Sequence, residues 1–196
     1  MITAQELLRI MPHVDANKWI GPLINTLFEF DVISPRRQAA FLAQFAHESG
    51  EFRFLKELSP GTQYEDRTDL GNISKGDGAK FKGRGIAQIT GRKNYGNCGN
   101  ALGLNLLENP ELLEEPENAM RSAGWFWTVG AGLNLGYRAK QSGVPVGVNL
   151  NDLADAEDFD KITLAINGGL NGQADRLAYW NKAKAVLYVD PTTETA

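Results

Sequence analysis

Glu48 and Glu57 are the two residues of this sequence whose type and spacing could carry out acid–base catalysis. Hydrolysis of a glycosidic bond needs one carboxylic acid that protonates the leaving oxygen and a second carboxylate that activates water or attacks the sugar. The two carboxyl groups lie about 6.5–9.5 Å apart in inverting enzymes and about 5–5.5 Å apart in retaining ones. Because the chain holds 24 acidic residues, the spacing alone indicates such a pair only weakly.

The segment between the two glutamates must contain a helix end if they are to act together. On one continuous helix, their nine-residue separation would place them about 13.5 Å apart along the axis and on opposite sides. The pair Ser49-Gly50 follows Glu48 directly, and glycine is the usual residue just past the end of a helix. We therefore predict that a helix ends here and that Glu57 lies on the returning segment.

The neighbours of the two carboxyl groups predict different roles for them. Glu48 lies at the end of an apolar helix near Phe45 and Phe52, where partial desolvation favours the protonated form that a general acid needs. Glu57 lies beside Lys56 and a polar loop, where a carboxylate stays ionised more easily. We therefore assign Glu48 as the general acid and Glu57 as the general base.

Apolar residues repeat at helical spacing over most of the chain, which predicts a mainly helical α+β fold. Residues 59–82 are rich in Gly, Ser, Asp and Thr and predict a loop. The string FKGRGIAQITG at 81–91 alternates as a strand does, with Ile86, Gln88 and Thr90 on one face, and predicts a small sheet. The predicted helices cover residues 7–11, 19–28, 35–50, 117–127, 158–166 and 173–186.

Length and composition narrow the class of protein. The 196 residues predict one domain at 1–188, with a small β-containing lobe at approximately 57–96 and a polar tail at 189–196. A formal net charge of −4 argues against nucleic-acid binding, and no apolar run is long enough for stable membrane insertion. The spacing of the histidines and of the single cysteine fits no metal motif, so we expect neither a metal nor a cofactor. The first residues, MITAQELLRI, lack a signal-peptide pattern, so we expect synthesis in the cytoplasm.

Four strings of the sequence resemble the family-19 glycoside hydrolases, which are best known as plant chitinases. They occur in the family's order and are HESG at 47–50, GRGIAQITGRKNYG at 83–96, WFW at 125–127 and INGG at 166–169. The resemblance spans approximately residues 35–188 and implies a lysozyme-like fold with a substrate cleft. The compact length and the uninterrupted HESGEF and RGIAQITG strings look more like the bacteriophage and prophage endolysins of this family.

The resemblance also implies roles for individual residues. Glu48 matches the family's general acid, and Glu57 matches the second glutamate, which activates water for an inverting displacement. Thr90 matches a hydroxyl residue that helps to hold the catalytic water. The other matches concern the substrate: Gln88 matches a sugar-binding glutamine, Asn94 and Tyr95 an asparagine-tyrosine pair beside the substrate, Asn167 a sugar-contacting asparagine, and Arg176 an arginine that interacts with the acid.

Departures from the plant pattern bear on the substrate and leave the two acids untouched. Lys93 stands where the plant enzymes usually carry tyrosine, and Asn171 stands where they carry an acidic residue after INGG. The plant disulfides have no counterpart, because Cys98 is the single cysteine. The expected function is therefore an endolysin that hydrolyses the glycan strand of peptidoglycan, between N-acetylmuramic acid and N-acetylglucosamine.

Three alternatives stay open on the sequence alone. A bacterial chitinase would use the same two acids on β-1,4 polymers of N-acetylglucosamine. A lytic transglycosylase would need one essential acid and would make Glu57 dispensable, whereas a wall-binding module would not cleave at all. The expected binding partner is peptidoglycan or a chitin-like polysaccharide. We expect a monomer that acts on the cell wall or in the periplasm after release, and the resemblance implies a holin for export.

Overall fold

The computed structural model describes residues 1–131, 144 and 147–188, and its regular secondary structure is helical. The α-helices are α1 (Ala4–Ile10), α2 (Ala16–Glu29), α3 (Pro35–Ser49), α4 (Asp77–Lys80), α5 (Arg92–Leu102), α6 (Pro116–Trp125), α7 (Leu150–Asp155), α8 (Phe159–Asn167) and α9 (Gln173–Leu187). A π-helix at Phe126–Gly130 continues α6, and 3-10 turns cover Thr62–Tyr64, Thr68–Leu70 and Pro110–Glu114. The prediction of a mainly helical fold is confirmed, and the predicted tail at 189–196 lies outside the described residues.

The starts of two helices that carry site residues follow from local capping. The Ser34 side chain accepts a hydrogen bond from the N–H of Arg37, and Pro35 occupies the first position of α3. Proline suits that position because its fixed φ is helical and because an N–H there would have no partner within the helix. Asp158 caps α8 in the same way by accepting from the N–H of Lys161. The predicted starts of these two helices are therefore confirmed.

Helix α3 runs through the core, which makes its C-terminal end a rigid base for side chains. Phe41 packs edge-on against Phe45 with ring centroids 4.7 Å apart, and against Trp127 at 5.4 Å. Both separations lie in the range that favours aromatic pairs. The indole Nε1 of Trp127 donates to Asn151 Oδ1 over 2.9 Å, so its polar atom is satisfied inside the core. Helix α9 packs along α3 on another side.

The predicted small sheet is not formed in the described residues, and the prediction of a β-containing lobe at approximately 57–96 is corrected accordingly. The pairing there consists of isolated bridges between Lys56 and Arg84 and between Arg84 and Ile89. The reason is that Gly85 and Gln88 have φ values of +76° and +50°, so the backbone makes a tight turn instead of an extended strand. The apparent alternation of side chains was therefore misleading.

Residues 59–82 form the predicted loop, apart from two 3-10 turns and the short helix α4. Buried polar side chains hold this loop in place. Asp77 accepts from the N–H groups of Ile73 and Ser74. It also forms a bidentate ion pair with Arg92 at the start of α5. Asn72 accepts from the N–H of Arg92 over 2.8 Å and donates to the carbonyl of Tyr64 over 2.8 Å. The loop is thus fixed by side chains and not by a sheet.

Candidate active site

The predicted helix end between the two glutamates is confirmed. Gly50, the residue after α3, has a φ of +58°, and the next two residues, Glu51 and Phe52, have φ values of +61° and +64°. Left-handed residues cannot continue a right-handed helix, so the chain reverses here. The N–H of Phe54 then donates back to the carbonyl of Ser49 over 2.9 Å, which closes the corner.

Glu48 lies in the last turn of α3 and forms an ion pair with Arg176 of α9. Arg176 Nη2 donates to Glu48 Oε1 over 2.5 Å, and its Nη1 donates to Gln44 Oε1 over 2.6 Å. Gln44 in turn donates to the hydroxyl of Thr163 on α8 over 2.7 Å. Arg176 is 1% exposed, whereas Glu48 is partly exposed at the edge of the core. The contact between acid and arginine that the resemblance implies is therefore present.

His47 and Asp175 form a second contact between the same two helices, one residue before the first. The imidazole Nδ1 lies 2.7 Å from Asp175 Oδ2. Gly172, just before α9, lies directly against the ring, because a Cβ at this glycine would be 2.5 Å from two imidazole atoms. The glycine also has a φ of +74°, which other residues rarely adopt. Helix α9 therefore begins in contact with the end of α3.

Glu57 lies on the returning segment, and three donors hold its carboxylate. Its Oε1 accepts from Gln63 Nε2 over 2.9 Å and from the Tyr64 hydroxyl over 3.2 Å, and its Oε2 accepts from the N–H of Gly83 over 3.1 Å. The backbone N–H of Glu57 donates to the Gly83 carbonyl over 2.9 Å. Burial and the nearby Glu57 carboxylate raise the pKa of Tyr64, so the phenol stays protonated and remains a donor.

Gln63 and Tyr64 are site residues that the sequence analysis missed. Both lie on a 3-10 turn of the irregular loop, where no periodicity predicts which way a side chain points. The one available signal is their closeness to Glu57, six and seven positions along the chain.

Gln88 lies next to Glu57, and the missing side chain of Gly83 makes room for both. A Cβ at Gly83 would be 2.7 Å from Gln88 Oε1 and 3.3 Å from Glu57 Oε2. The amide of Gln88 donates to the carbonyl of Gly85 over 2.9 Å and reaches the carbonyl of Phe54 at 3.5 Å. The structure thus brings one predicted sugar-binding residue beside the predicted base.

Thr90 and Asn94 continue this polar chain towards α5. The Thr90 hydroxyl donates to the carbonyl of Gln88 over 2.9 Å, and the Asn94 amide donates to the carbonyl of Thr90 over 2.7 Å. Both residues are half-buried. Their contacts to Gln88 come from the tight turn and from the start of α5, and not from the shared strand face that was predicted.

The position of Tyr95 in the structure differs from the predicted place beside the substrate. Its side chain is 0% exposed, so it does not reach a substrate at the surface. The hydroxyl donates to the carbonyl of Lys82 over 2.6 Å and accepts from Arg84 Nη1 over 3.0 Å. Burial raises the pKa of Tyr95 well above its usual value, so the group stays a donor. Tyr95 holds the turn that carries Gln88 and lies behind the site.

Asn167 ends α8, where its amide donates to the carbonyl of Gly169 over 3.0 Å. The following residue, Gly168, has a φ of +70° and caps the helix. This local role agrees with the stop expected from the INGG string, and a contact between Asn167 and a sugar stays a prediction.

The side chains around the two predicted glutamates form two clusters that meet at one corner of the chain. The Glu48 cluster comprises Gln44, His47, Glu48, Asp175 and Arg176. The Glu57 cluster comprises Glu57, Gln63, Tyr64, Gly83 and Gln88. Phe54 joins them, because its carbonyl faces the Gln88 amide and its ring lies against Gly50. Two carboxyl groups held on separate supports are the kind of groups that general acid–base catalysis uses.

Other reactive groups lie outside these clusters. Cys98 is buried, and burial raises the pKa of its thiol to about 12, so it is a poor nucleophile. Within the described ranges, no three His, Cys, Asp or Glu side chains are grouped so that they could hold a metal ion. The same ranges contain no helix that is long and apolar enough to cross a membrane.

A separate pocket between α8 and α9 does not offer a free aromatic face for a sugar. The indole of Trp180 stacks on Phe159 with ring centroids 4.5 Å apart, and Lys184 Nζ lies 3.6 Å from the same indole. The residues that line it are Glu157, Asp158, Phe159, Asp160, Leu177 and Trp180, and none of them was predicted as a site residue.

Comparisons with known proteins agree on one family. A family model described as Chitinase class I matches residues 31–193. An endochitinase of Arabidopsis thaliana is 31% identical over 163 residues, which cover 81% of this chain and 55% of that protein. A glycosyl hydrolase family 19 domain-containing protein of Haemophilus influenzae is 28% identical over 208 residues, which cover 90% of this chain and 92% of that protein.

The structural comparison supports the fold. Chitinase C from Streptomyces griseus has a TM-score of 0.76 at 23% identity, covering 96% of this chain and 77% of that one. The fold expected from the resemblance is confirmed by this match. The chain spans about half the length, or less, of the Arabidopsis endochitinases that it matches.

Proposed function

Since this chain belongs to glycoside hydrolase family 19, we propose that it hydrolyses an N-acetylated aminosugar polymer with Glu48 as general acid and Glu57 as general base. One observation carries the proposal. The two glutamates lie on either side of the left-handed corner at Gly50, and each is held by its own set of donors. Glycoside hydrolysis requires two carboxyl groups with different roles on either side of the scissile bond.

In the proposed reaction, Glu48 donates its proton to the glycosidic oxygen as the bond to the anomeric carbon breaks. Arg176 occupies Glu48 Oε1, so the proton is carried on Oε2, and the guanidinium stabilises the carboxylate that remains after the transfer. A charged partner that is already in place needs no rearrangement during the reaction.

Glu57 accepts a proton from the attacking water while the water oxygen bonds to the anomeric carbon. Its three donors orient the carboxylate. The Thr90 hydroxyl, which donates to the carbonyl of Gln88, keeps its lone pairs for the same water. The product then has the opposite anomeric configuration, and the proton taken by Glu57 restores Glu48 through solvent.

Substrate binding falls to polar groups around the Glu57 cluster. Gln88 and Asn94 use their amide donors on backbone carbonyls, so their carbonyl oxygens are left to accept from sugar hydroxyl or acetamido groups. Asn167, at the end of α8, is proposed as a further sugar contact. These three residues need no cofactor for their role.

We propose peptidoglycan as the substrate, cleaved between N-acetylmuramic acid and N-acetylglucosamine. The relative that is matched almost end to end belongs to a bacterium, Haemophilus influenzae, and bacterial walls contain this polymer. Chitin is the second candidate, because the Arabidopsis and Streptomyces proteins in the comparisons are named chitinases. For the first substrate, we propose that the protein acts on the wall after release from the cytoplasm with the help of a holin.

The test is mass spectrometry of the products formed from purified peptidoglycan and from chitin oligomers. Wild-type protein is compared with Glu48→Gln, Glu57→Gln and Glu111→Gln, the last being an exposed control outside both clusters. We expect reducing-end muramic acid from peptidoglycan, and a loss of about 10²–10⁴-fold in rate for each of the first two variants. The control should match wild type.

Each other outcome identifies a different function. Cleavage of chitin oligomers alone would assign a chitinase. An anhydromuramic product together with an active Glu57→Gln variant would assign a lytic transglycosylase. Binding to peptidoglycan with no product in any variant would assign a wall-binding module and end the enzyme proposal.

A further inference from the structure

Glu51 is a buried carboxylate located between the two proposed catalytic glutamates, and the mechanism above does not use it. The residue is 3% exposed, and its φ of +61° is unusual for any residue other than glycine. A buried carboxylate and a left-handed conformation both raise the free energy of the folded state unless other contacts offset them. Two such features at one position call for specific partners.

Glu51 has two partners from distant parts of the chain. Its Oε2 accepts from the backbone N–H of His13 over 2.5 Å, and its Oε1 accepts from the Tyr179 hydroxyl over 2.8 Å. Burial raises the pKa of Tyr179 most, and the hydrogen bond and the charge of Glu51 raise it further. The phenol therefore stays protonated and donates this bond. The corner after α3 is therefore tied both to the N-terminal segment and to α9.

The hydrogen bond between Glu51 and Tyr179 is one of three contacts that align α9 with the end of α3 and the corner after it, and another of them holds the proposed acid. The pairs His47–Asp175, Glu48–Arg176 and Glu51–Tyr179 are each separated by 128 positions in the sequence. Residues three and four apart share a face of a helix. Tyr179 therefore lies one turn beyond Asp175 and Arg176 on the face of α9 that contacts the end of α3.

We propose that Glu51 and Tyr179 are positioning residues for the proposed reaction. Their hydrogen bond fixes α9 in the register that places Arg176 on Glu48, and it holds the corner that leads from Glu48 to Glu57. The inference rests on the proposed function but concerns residues that do not touch the substrate. Loss of the bond moves the guanidinium relative to Glu48, so it reduces proton donation and leaves glycan binding unchanged.

Tyr179→Phe is the sharpest test, because it removes one hydroxyl and keeps the ring. Tyr188→Phe is the matched control, since Tyr188 directly follows α9 and its hydroxyl also donates to a glutamate, Glu157, over 3.2 Å. Steady-state kinetics are measured on whichever glycan wild type cleaves, at a temperature where melting curves show each variant folded. We expect kcat to fall about tenfold for Tyr179→Phe with KM unchanged, and Tyr188→Phe to match wild type.

A double variant separates positioning from general stability. If Tyr179 acts through Glu48, then Tyr179→Phe has no further effect on the residual rate of Glu48→Gln. An equal fall of kcat in both backgrounds would overturn the inference, as would a Tyr179→Phe kcat within twofold of wild type. An effect on KM alone would also overturn it. Full activity of Glu48→Gln would instead refute the proposed function, so the two failures are distinguishable.

Substitutions at Glu51 give a second measurement. Glu51→Gln can still contact both partners, because its amide oxygen accepts from the His13 N–H while its amide nitrogen donates to Tyr179. Glu51→Leu has a similar size and can make neither contact. We expect Glu51→Gln to keep kcat within about threefold of wild type and Glu51→Leu to lose at least tenfold. Equal kcat values for the two variants would contradict a positioning role for the bond.

Discussion

Replacing Asp77 with asparagine tests whether the loop that supports Glu57 is held by charge. The Asp77 side chain is 3% exposed and accepts two hydrogen bonds from Arg92, at 2.8 Å and 2.5 Å. It also accepts from two backbone N–H groups of the loop. An asparagine at this position would present an amide donor to the guanidinium, which has no acceptor, so at least one of these bonds is lost.

The size of the effect follows from the pKa of Asp77. The bonds from Arg92, followed by those from the N–H groups of Ser74 and Ile73, lower this pKa from 3.8 to about 2 against the opposing effect of burial. At about 1.36 kcal/mol per pKa unit, the charged form contributes about 2 kcal/mol to the free energy of unfolding. Because the folded-state pKa is lowered, this contribution is complete above pH 3.8 and is lost as the pH falls towards 2.

Urea unfolding of wild type and Asp77→Asn between pH 7 and pH 2 measures this contribution. We expect a difference of about 2 kcal/mol at pH 7 that shrinks below pH 4 and disappears near pH 2. Asp69→Asn is the control, because Asp69 forms a similar bidentate ion pair with Arg67 on the exposed surface. It should unfold like wild type. A difference for Asp77→Asn that does not change with pH would refute the assignment to charge.

Three further substitutions test packing and burial. Gly83→Ala places a methyl 2.7 Å from Gln88 Oε1 and should lower kcat/KM about tenfold with little change in Tm. Gly169→Ala is the control, because a Cβ there has nothing within 4 Å, and it should keep the kcat/KM of wild type. Equal kcat/KM values for the two variants would contradict the proposed crowding of Gln88. Gly21→Ala in α2 meets open space and should raise the free energy of unfolding by about 0.5–1 kcal/mol in thermal melts. Tyr95→Phe removes the short bond to the Lys82 carbonyl and one acceptor of Arg84 Nη1, which still donates to the Lys80 carbonyl over 2.8 Å, and should lower the free energy of unfolding by about 1 kcal/mol in urea. An unchanged urea midpoint would show that this hydroxyl is dispensable.

The helix ends could be predicted because they depend on residues close together in the chain. Ser34 before Pro35 and glycine at position 50 act on the backbone within one turn, so their types are enough to identify them. The reversal after Glu48 followed from that signal and from the reach of a helix. This part of the site was therefore accessible without a structure.

The turn at 84–89 could not be predicted from alternation, because a tight turn and a strand can carry the same polar and apolar pattern. Ile86 and Ile89 are both buried at a spacing of three, which would put them on opposite faces of an extended strand. The deciding feature is the left-handed conformation of Gln88, a residue type without a preference for it. The hydrogen bonds of Tyr95 and Arg84 beneath the turn stabilise it, and they depend on the tertiary structure.

The two proposed catalytic glutamates depend on different parts of the fold. Glu48 is held by α9 through Arg176, in a register shared with Tyr179. Glu57 is held by a loop whose anchor is Asp77. Energetic effects at sites without shared partners usually add. Substitutions of Arg176 on the α9 side and of Asp77 on the loop side share no partner, so they should multiply in their effects on rate.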